Sequence, residues 1–346
     1  MDQLRLNVEL LRKRVPNLTV AAAAIGLRPA TVSNLCTGKI PLARAEVKTL
    51  VTLADLAECT VDDLIIRGSD AEMLETGIKV IDLFAPLTRG GTIGFVARPG
   101  MGQLVVLAEI FHRMNLNGFE TFFLKPKEDA LGLSDVINET KHVCYSVQEA
   151  FEKMVNMSKQ TIFLAADRQM VLTGEIYDLI EKLKDAGVTP TTLLVDLRGE
   201  AVDEQDPFGP LDTLLQFDAE LVSRKIYPAI NPLHSTSVLI EGAKLSKVQL
   251  HTQQQAKKIL RRYRELRFLG TELIPASERE TYHKGLRLEA YFTQPFLITE
   301  PFTKKKGVSV STQMTVADVQ RILKGEMDDV DLETLFYVGE LKKKEE

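Results

Sequence analysis

The sequence predicts an α/β protein in three parts. These are an all-helical N-terminal part, a central part built on a parallel sheet, and a mostly helical C-terminal part. Two observations carry the prediction. Short apolar runs alternate with helix-like stretches across the middle of the chain, the pattern of a parallel sheet with crossover helices. A glycine-bearing turn, Arg98-Pro99-Gly100-Met101-Gly102, joins one such run to a helical stretch, which is how a helix N-terminus is presented to an anion.

Taken in order, Leu4, Val8, Leu11 and Val15 are spaced for one helical face. Thr19 is placed to cap a second helix, Val20 to Ile25, which Gly26 stops. Leu27 to Ala30 makes a turn, and a third helix is expected from Thr31 to Cys36, ended by Gly38. A fourth is expected from Ala43 to Ala57, and a last one is led by Thr60, with Asp62 and Asp63 in its first turn. Strands are expected at 92–97, 120–124, 161–166 and 191–196, with helices near 103–115, 147–156 and 173–186. Beyond about residue 245, Ala256, Ile259/Leu260, Tyr263 and Leu266 form one apolar stripe, and six basic residues between Lys257 and Arg267 lie largely off it. The expected boundaries are 1–68, 69–244 and 245–346, with Ser69-Asp70 as a short linker.

Hydrophobic residues make up 45% of the chain and charged residues 26%, the balance of an ordinary globular protein. The net charge of −5 argues against a wholesale nucleic-acid coat but leaves room for a local basic face. Three cysteines, Cys36, Cys59 and Cys144, form no C-x-x-C pair, so neither a zinc framework nor a disulfide scaffold is expected. The N-terminus has no signal-peptide pattern and no apolar run is long enough to span a bilayer. Cytoplasm is the expected compartment, without membrane insertion.

The stretch Leu18 to Leu64 resembles a helix-turn-helix domain of the Cro and phage-repressor type. The words that carry this are the alanine-rich second helix, Ile25-Gly26-Leu27, T-V-S-N-L from Thr31, and V-D-D-L from Val61. In that family the third helix enters the major groove. The resemblance therefore implies Pro29, Ala30, Thr31, Ser33 and Asn34 at base edges, with Arg28 and Lys39 near phosphates, and double-stranded DNA as the partner. Residues 1–67 hold nine basic and seven acidic side chains, a weak surplus for a DNA binder. The alternative is a helical adaptor that keeps the fold for protein contacts.

LETGIKVIDLFAPLTRGG, from Leu74 to Gly91, and IYPAINPLHSTS, from Ile226 to Ser237, resemble the catalytic beta subunit of F-type rotary ATP synthases and its V-type and export-ATPase relatives. Phe208, Leu211 and Asp212, the stretch Leu260 to Leu266, the stretch YFTQPFLITEPFT from Tyr291, and Phe336 to Gly339 extend the resemblance over residues 72–346. It implies a central P-loop domain of the RecA-like kind. A working loop reads G-x-x-x-x-G-K-S/T. Here Ala97, Gln103 and Leu104 replace the first glycine, the lysine and the hydroxyl, while Gly100 and Gly102 remain. Pro99 also removes one backbone donor.

By family position, Glu128 is the candidate general base and Asp167 the candidate metal-associated carboxylate. Val238 stands where the family has an arginine. Tyr227, Phe292 and Phe296 match aromatics around the adenine base, and stacking needs none of the lost charges. Gly100, Gly102 and Gln103 with these three aromatics are the candidate nucleotide-binding set, for ATP or ADP without Mg²⁺; no metal site is expected. Three functions compete. One is a DNA-binding regulator with a catalytically impaired sensor or oligomerisation module. The second is a pseudo-subunit that binds itself or the subunits of a rotary or secretion ATPase. The third is a weak ATPase.

Overall fold

The computed structural model describes residues 4–15, 18–36, 40, 42–67, 72–126, 132–200, 211–241, 245–270 and 273–342. The N-terminal part is not all helical. It runs β1 (Leu4–Leu6), α1 (Val8–Arg14), α2 (Leu18–Ala24), α3 (Pro29–Cys36), α4 (Val47–Leu56) and β2 (Ile65–Arg67). β1 and β2 pair antiparallel, with Leu4 opposite Arg67 and Leu6 opposite Ile65. Leu4 is therefore outside the expected helical face. The Asn7 amide donates to Leu64 O and the Asn7 side chain caps α1 by accepting from Leu10 N at 3.2 Å, so the helix starts only after the strand.

The helix expected after Thr60 is also absent. Asp63 accepts from the amide and hydroxyl of Thr60, and Thr60 Oγ1 accepts from the Asp63 amide. This reciprocal cap closes a turn, and the β-branched Ile65 and Ile66 then extend into β2. Thr19 lies inside α2 rather than capping it, and Leu42–Arg44 is a separate 3₁₀ turn because Glu46 is extended, with ψ 133°. Gly26, at φ +85°, ends α2 in the left-handed conformation, and Pro29 opens α3 at the first helical position. The core of this part (Leu11, Ala22, Val32, Leu35, Leu53 and Leu64 at its centre) draws only on residues 6–65.

The central part begins with β3 (Met73–Leu74), α5 (Lys79–Phe84) and β4 (Leu87–Thr88). It continues with β5 (Thr92–Val96), α6 (Gln103–Leu116), β6 (Glu120–Leu124), α7 (Leu133–Asn138), β7 (His142–Cys144), α8 (Val147–Asn156) and β8 (Ile162–Asp167). α9 (Gln169–Leu172), α10 (Glu175–Asp185), β9 (Thr191–Val195), β10 (Thr213–Gln216), α11 (Ala219–Ser223), β11 (Thr236–Ser237) and α12 (Val238–Glu241) complete it. Seven strands form one sheet in the order β11-β10-β5-β9-β8-β6-β7, parallel except for β11.

The chain leaves β5 through α6, skips two positions to β6, returns through β8 to β9, then crosses to the other side of β5 as β10. The strand order reverses at β5, and the crevice outside the carboxyl ends of such strands is where α/β sheets hold ligands. Both faces of the sheet are covered, which is why its strands read as continuous apolar runs. Ile93, Phe95, Phe163 and Leu193 face one core; Val96, Leu164 and Leu194 face the other.

α13 (Lys247–Arg267), α14 (Arg279–Tyr291), α15 (Glu300–Thr303) and α16 (Thr312–Leu323) make the C-terminal part. It shares the first core through Ala256, Leu260, Leu288, Tyr291 and Val319. Buried polar groups bolt it to the central part. Lys79, fully buried, donates through Nζ to Tyr291 O and to Val338 O at 2.8 Å, and lies 4.1 Å from the Tyr291 ring centroid. Burial pulls the Lys79 ammonium down to about 7, opposed by the Asp318 charge.

The sign comes from linkage. Between pH 7 and its unfolded value of 10.5 the unfolded chain binds the extra proton, so this contribution to stability grows with pH, by up to ~1.4 kcal/mol per pH unit. It is fully present above 10.5 and lost as pH falls through about 7. Denaturation of wild type beside Lys79→Met at pH 7, 8 and 9 will show wild type gaining on the variant as pH rises.

Among the described residues no helix is long and apolar enough to cross a membrane.

Candidate functional site

β5 delivers the chain to Ala97, and the loop Arg98–Gly102 turns it into α6. Gly100 and Gly102 both take φ +85°, and a Cβ at either would meet open space. The glycines serve the left-handed backbone rather than close packing. Gly102 is the N-cap of α6 and gives it no side-chain cap. The turn thus brings two left-handed glycines to the N-terminus of α6.

The two positions that supply charge and metal in a working loop are turned to other use. Gln103 is 4% exposed and Leu104 7% exposed, both drawn into the protein at the first turn of α6. Leu104 packs toward the Gly132 turn that opens α7: a Cβ on Gly132 would sit 3.5 Å from Leu104 Cδ1. An aliphatic side chain anchored this way cannot ligate Mg²⁺, and a neutral amide at 103 brings no charge to a phosphate.

The turn leaving β9 leans on the same loop. Asp196 Oδ1 accepts from the amides of Arg198 at 3.1 Å and Gly199 at 2.9 Å. Gly199, at φ +78°, lies so close that an added Cβ would stand 2.6 Å from Pro99 Cδ.

Asp167 ends β8 at the carboxyl edge of the sheet. It is 7% exposed, and burial raises its carboxyl above the ordinary aspartate range, partly offset by the Gln169 amide and Arg198. It lines a cleft of about 760 Å³ with Lys125 after β6, Tyr145 and Ser146 after β7, and Arg198 after β9. None of the loop residues 97–104 lines this cleft. Arg168 follows Asp167, is 1% exposed, and lies 3.5 Å from the Glu200 carboxylate. The cleft is not legible in the sequence because its walls come from the ends of four separate strands and the starts of the helices that follow them. Its one signal was that Lys125, Asp167 and Arg198 lie at or just past the ends of apolar runs. Among the described residues no cluster of three His, Cys, Asp or Glu side chains is arranged for a metal.

The aromatic set splits. Tyr227 is 40% exposed, follows Ile226 into a cis Tyr227–Pro228 bond, and accepts through its carbonyl from Gln294 N at 3.0 Å. Phe292 and Phe296 are each 6% exposed members of the main core, and Phe292 meets Phe84 edge-on at 4.9 Å. Of the three, Tyr227 alone offers a large ring surface to solvent.

α6, the helix after the glycine turn, is wired to this region. Glu109, two turns into α6, accepts from Leu297 N at 2.9 Å and Ile298 N at 3.0 Å, directly after Phe296. Arg113 donates to Glu109, to Gly77 O and to Val308 O. Both side chains are almost wholly buried. No sequence motif announced them.

On α3, Arg28 before the helix and Ala30 are exposed, while Pro29, Thr31 and Asn34 are half-buried. Ser33 is a correction: it is 7% exposed and faces the N-terminal core beside Val32, Leu35 and Cys36. It is therefore withdrawn from the expected base-reading set. Lys39, Glu128 and Phe208 lie outside the described residues.

A mostly parallel α/β sheet whose strand order reverses is an architecture that holds ligands beyond the carboxyl ends of its strands. The chain is distantly related to ATP synthase subunit beta. It is 27% identical to ATP synthase subunit beta 1 of Pseudoalteromonas atlantica over 331 residues, covering 79% of this chain and 62% of that protein. It is 26% identical to ATP synthase subunit beta 2 of a Bradyrhizobium species over 336 residues, covering 81% of this chain and 71% of that one. The chain thus spans less than two thirds of the length of the first of these relatives. No family model matches it.

Proposed function

We propose that this protein is a DNA-binding regulator in which an ATP synthase beta-like module serves as a catalytically silent sensor or oligomerisation unit. The carrying observation is the burial of Gln103 and Leu104 where phosphoryl transfer needs a lysine and a hydroxyl. The glycine turn and the exposed Tyr227 ring leave a shape that can accept ATP or ADP without Mg²⁺. In this reading residues 1–68 are a helix-turn-helix unit that addresses DNA through Arg28, Ala30, Thr31 and Asn34. Residues 69–244 and 245–346 form the silent module. The small surplus of basic residues in the helix-turn-helix unit makes a single copy a weak binder, so pairing of copies raises affinity.

Selection from a random duplex library tests the reading, using wild type beside Arg28→Ala/Asn34→Ala, each with and without ATP or ADP. The expected result is enrichment of one motif by wild type and its loss in the variant. No enrichment in any condition overturns the DNA role.

A second reading has its own support. Phe268 is 73% exposed, Leu269 51% and Leu273 73%, close together after α13, and the relatives bear the name of a subunit. Exposed large apolar groups mark protein contacts, as a pseudo-subunit in an ATPase assembly would have. Recovery of ATPase subunits with the native protein would favour it.

A further inference from the structure

We propose that two copies of this chain pair through α4, with the two helices antiparallel about a two-fold axis beside Val51. This contact adds an interaction surface to the proposed function. It does not depend on DNA binding, since a pair of adaptors would use the same face.

The helix α4 is two-sided. Thr49, Leu50, Leu53 and Ala54 are its buried residues, and the last three belong to the core of the N-terminal part. The opposite face carries Val47, Lys48, Val51 and Asp55, all exposed. Positions 47, 51 and 55 are four apart, and 48 and 51 are three apart, so these side chains form one stripe. Val47 is 74% exposed and Val51 41%, and neither belongs to the N-terminal core. Thr52, half-buried beside Val51, spends its hydroxyl on Lys48 O at 2.8 Å. Valine gives up helix propensity, and at solvated positions nothing within one copy offsets that loss.

The charges on the stripe run against the helix. Lys48 sits in the first turn, where the helix dipole favours an acid, and Asp55 in the last, where it favours a base. The first turn holds no acid and the last no base. Among the described residues neither Lys48 nor Asp55 has an ion-pair partner.

This order of groups selects a second copy as the occupant. From its amino to its carboxyl end the stripe reads cation, apolar, anion. A partner that covers it must present anion, apolar, cation along the same length, and the same stripe turned end for end does so. In an antiparallel pair centred between positions 51 and 52, Lys48 of each copy lies opposite Asp55 of the other. The two Val51 side chains meet beside the axis. Each Lys48 also comes to the carboxyl end of the other helix and each Asp55 to its amino end. The dipole that opposes both charges within one copy is thereby offset by the helix of the other. A patch that contacts its own equivalent is isologous and closes as a dimer. A nucleic-acid backbone would suit Lys48 alone, setting Asp55 against phosphate and leaving the valines uncovered.

One helix face is a small contact, so it belongs with the weak and transient interfaces. Pairing is expected at high protein concentration, or where a common partner holds two copies together.

Sedimentation equilibrium of the full chain tests this. Wild type should approach twice the monomer mass as concentration rises, and added salt should weaken the association. Lys48→Asp sets two acids against each other at both ends of the contact, and Asp55→Lys sets two lysines there. Each should weaken pairing at least ~10-fold. The double variant Lys48→Asp/Asp55→Lys should pair again. An equimolar mixture of the two single variants should form a mixed dimer, because both arrangements return opposite charges across the axis. Val51→Glu, which puts two carboxylates beside the axis, should be monomeric. Each charge substitution suits its own helix end better than the native residue, so circular dichroism should show the fold intact.

A wild type that stays monomeric at every concentration overturns the proposal. So does association retained in both single variants or in Val51→Glu, and so does a mixture of folded single variants that fails to pair. Selection on duplex DNA keeps the two readings apart. A dimer without motif enrichment supports this contact and overturns the DNA role; enrichment by a protein that is always monomeric does the reverse.

Discussion

Arg113→Ala will destabilise the protein by about 3–5 kcal/mol, the cost of breaking a buried ion pair by removing one partner. The guanidinium is 3% exposed and the Glu109 carboxylate fully buried. Arg113 donates to Glu109 from the same helix, and to the carbonyls of Thr76, Gly77 and Val308. Truncation leaves the buried Glu109 carboxylate without its cation and takes one donor from each of three carbonyls, of which Gly77 O and Val308 O keep the Gln294 amide. Glu109 itself holds the amides of Leu297 and Ile298. The damage should therefore reach the segment after Phe296, which joins the central and C-terminal parts. Urea denaturation measures the loss as a lower midpoint, and a fall in slope as well would show that the two parts no longer unfold together. A change within ~0.5 kcal/mol, as at an ordinary surface site, would show that this hub carries little.

Leu104→Thr will cost about 2–4 kcal/mol, from lost apolar volume and a hydroxyl without a partner at a buried site. This substitution nominally repairs the loop, since it returns the hydroxyl that ligates Mg²⁺. The repair is expensive because Leu104 is part of the main core and packs toward the Gly132 turn. The position has been taken over by packing, so the lost chemistry is built into the fold around it. Gln103→Lys meets a similar obstacle, since the side chain at 103 is 4% exposed and an ammonium there must be desolvated. Thermal or urea denaturation of Leu104→Thr measures this cost, and a neutral result would show that the loop remains open to repair.

Much of the central part was legible in the sequence because its signals are local. The strand at 120–124 and the helix at 147–156 coincide with β6 and α8. The remaining edges moved by one or two residues, as strand and helix ends do. Where the signal depends on a distant partner, reading failed. Leu4 fits a helical period with Val8 and Leu11, yet it pairs with Arg67, more than sixty positions away. Thr60, Asp62 and Asp63 have the composition of a helix start, but Ile65 to Arg67 are needed as the partner strand of β1.

The candidate site was legible as a motif and opaque as a place. The order of Gly100, Gly102, Gln103 and Leu104 told which groups were missing; only packing tells that the replacements point inward. Phe292 and Phe296 matched a pattern around a base, yet their rings sit in the core and Tyr227 alone is open. The Glu109–Arg113 pair has the spacing of any surface helix pair, and nothing local marks it as buried. Ser33 is similar, a polar residue on a helix whose core-facing turn only the three-dimensional packing defines.

Silence of the phosphate loop is the central claim. The direct measurement is steady-state ATP hydrolysis by highly purified wild type with Mg²⁺, beside Asp167→Asn and Glu128→Gln at the family-position carboxylates. The expected result is phosphate release at the level of buffer controls in wild type and no further decrease in either variant. Mg²⁺-dependent turnover by wild type that disappears in Asp167→Asn or Glu128→Gln would contradict it and make this chain an enzyme.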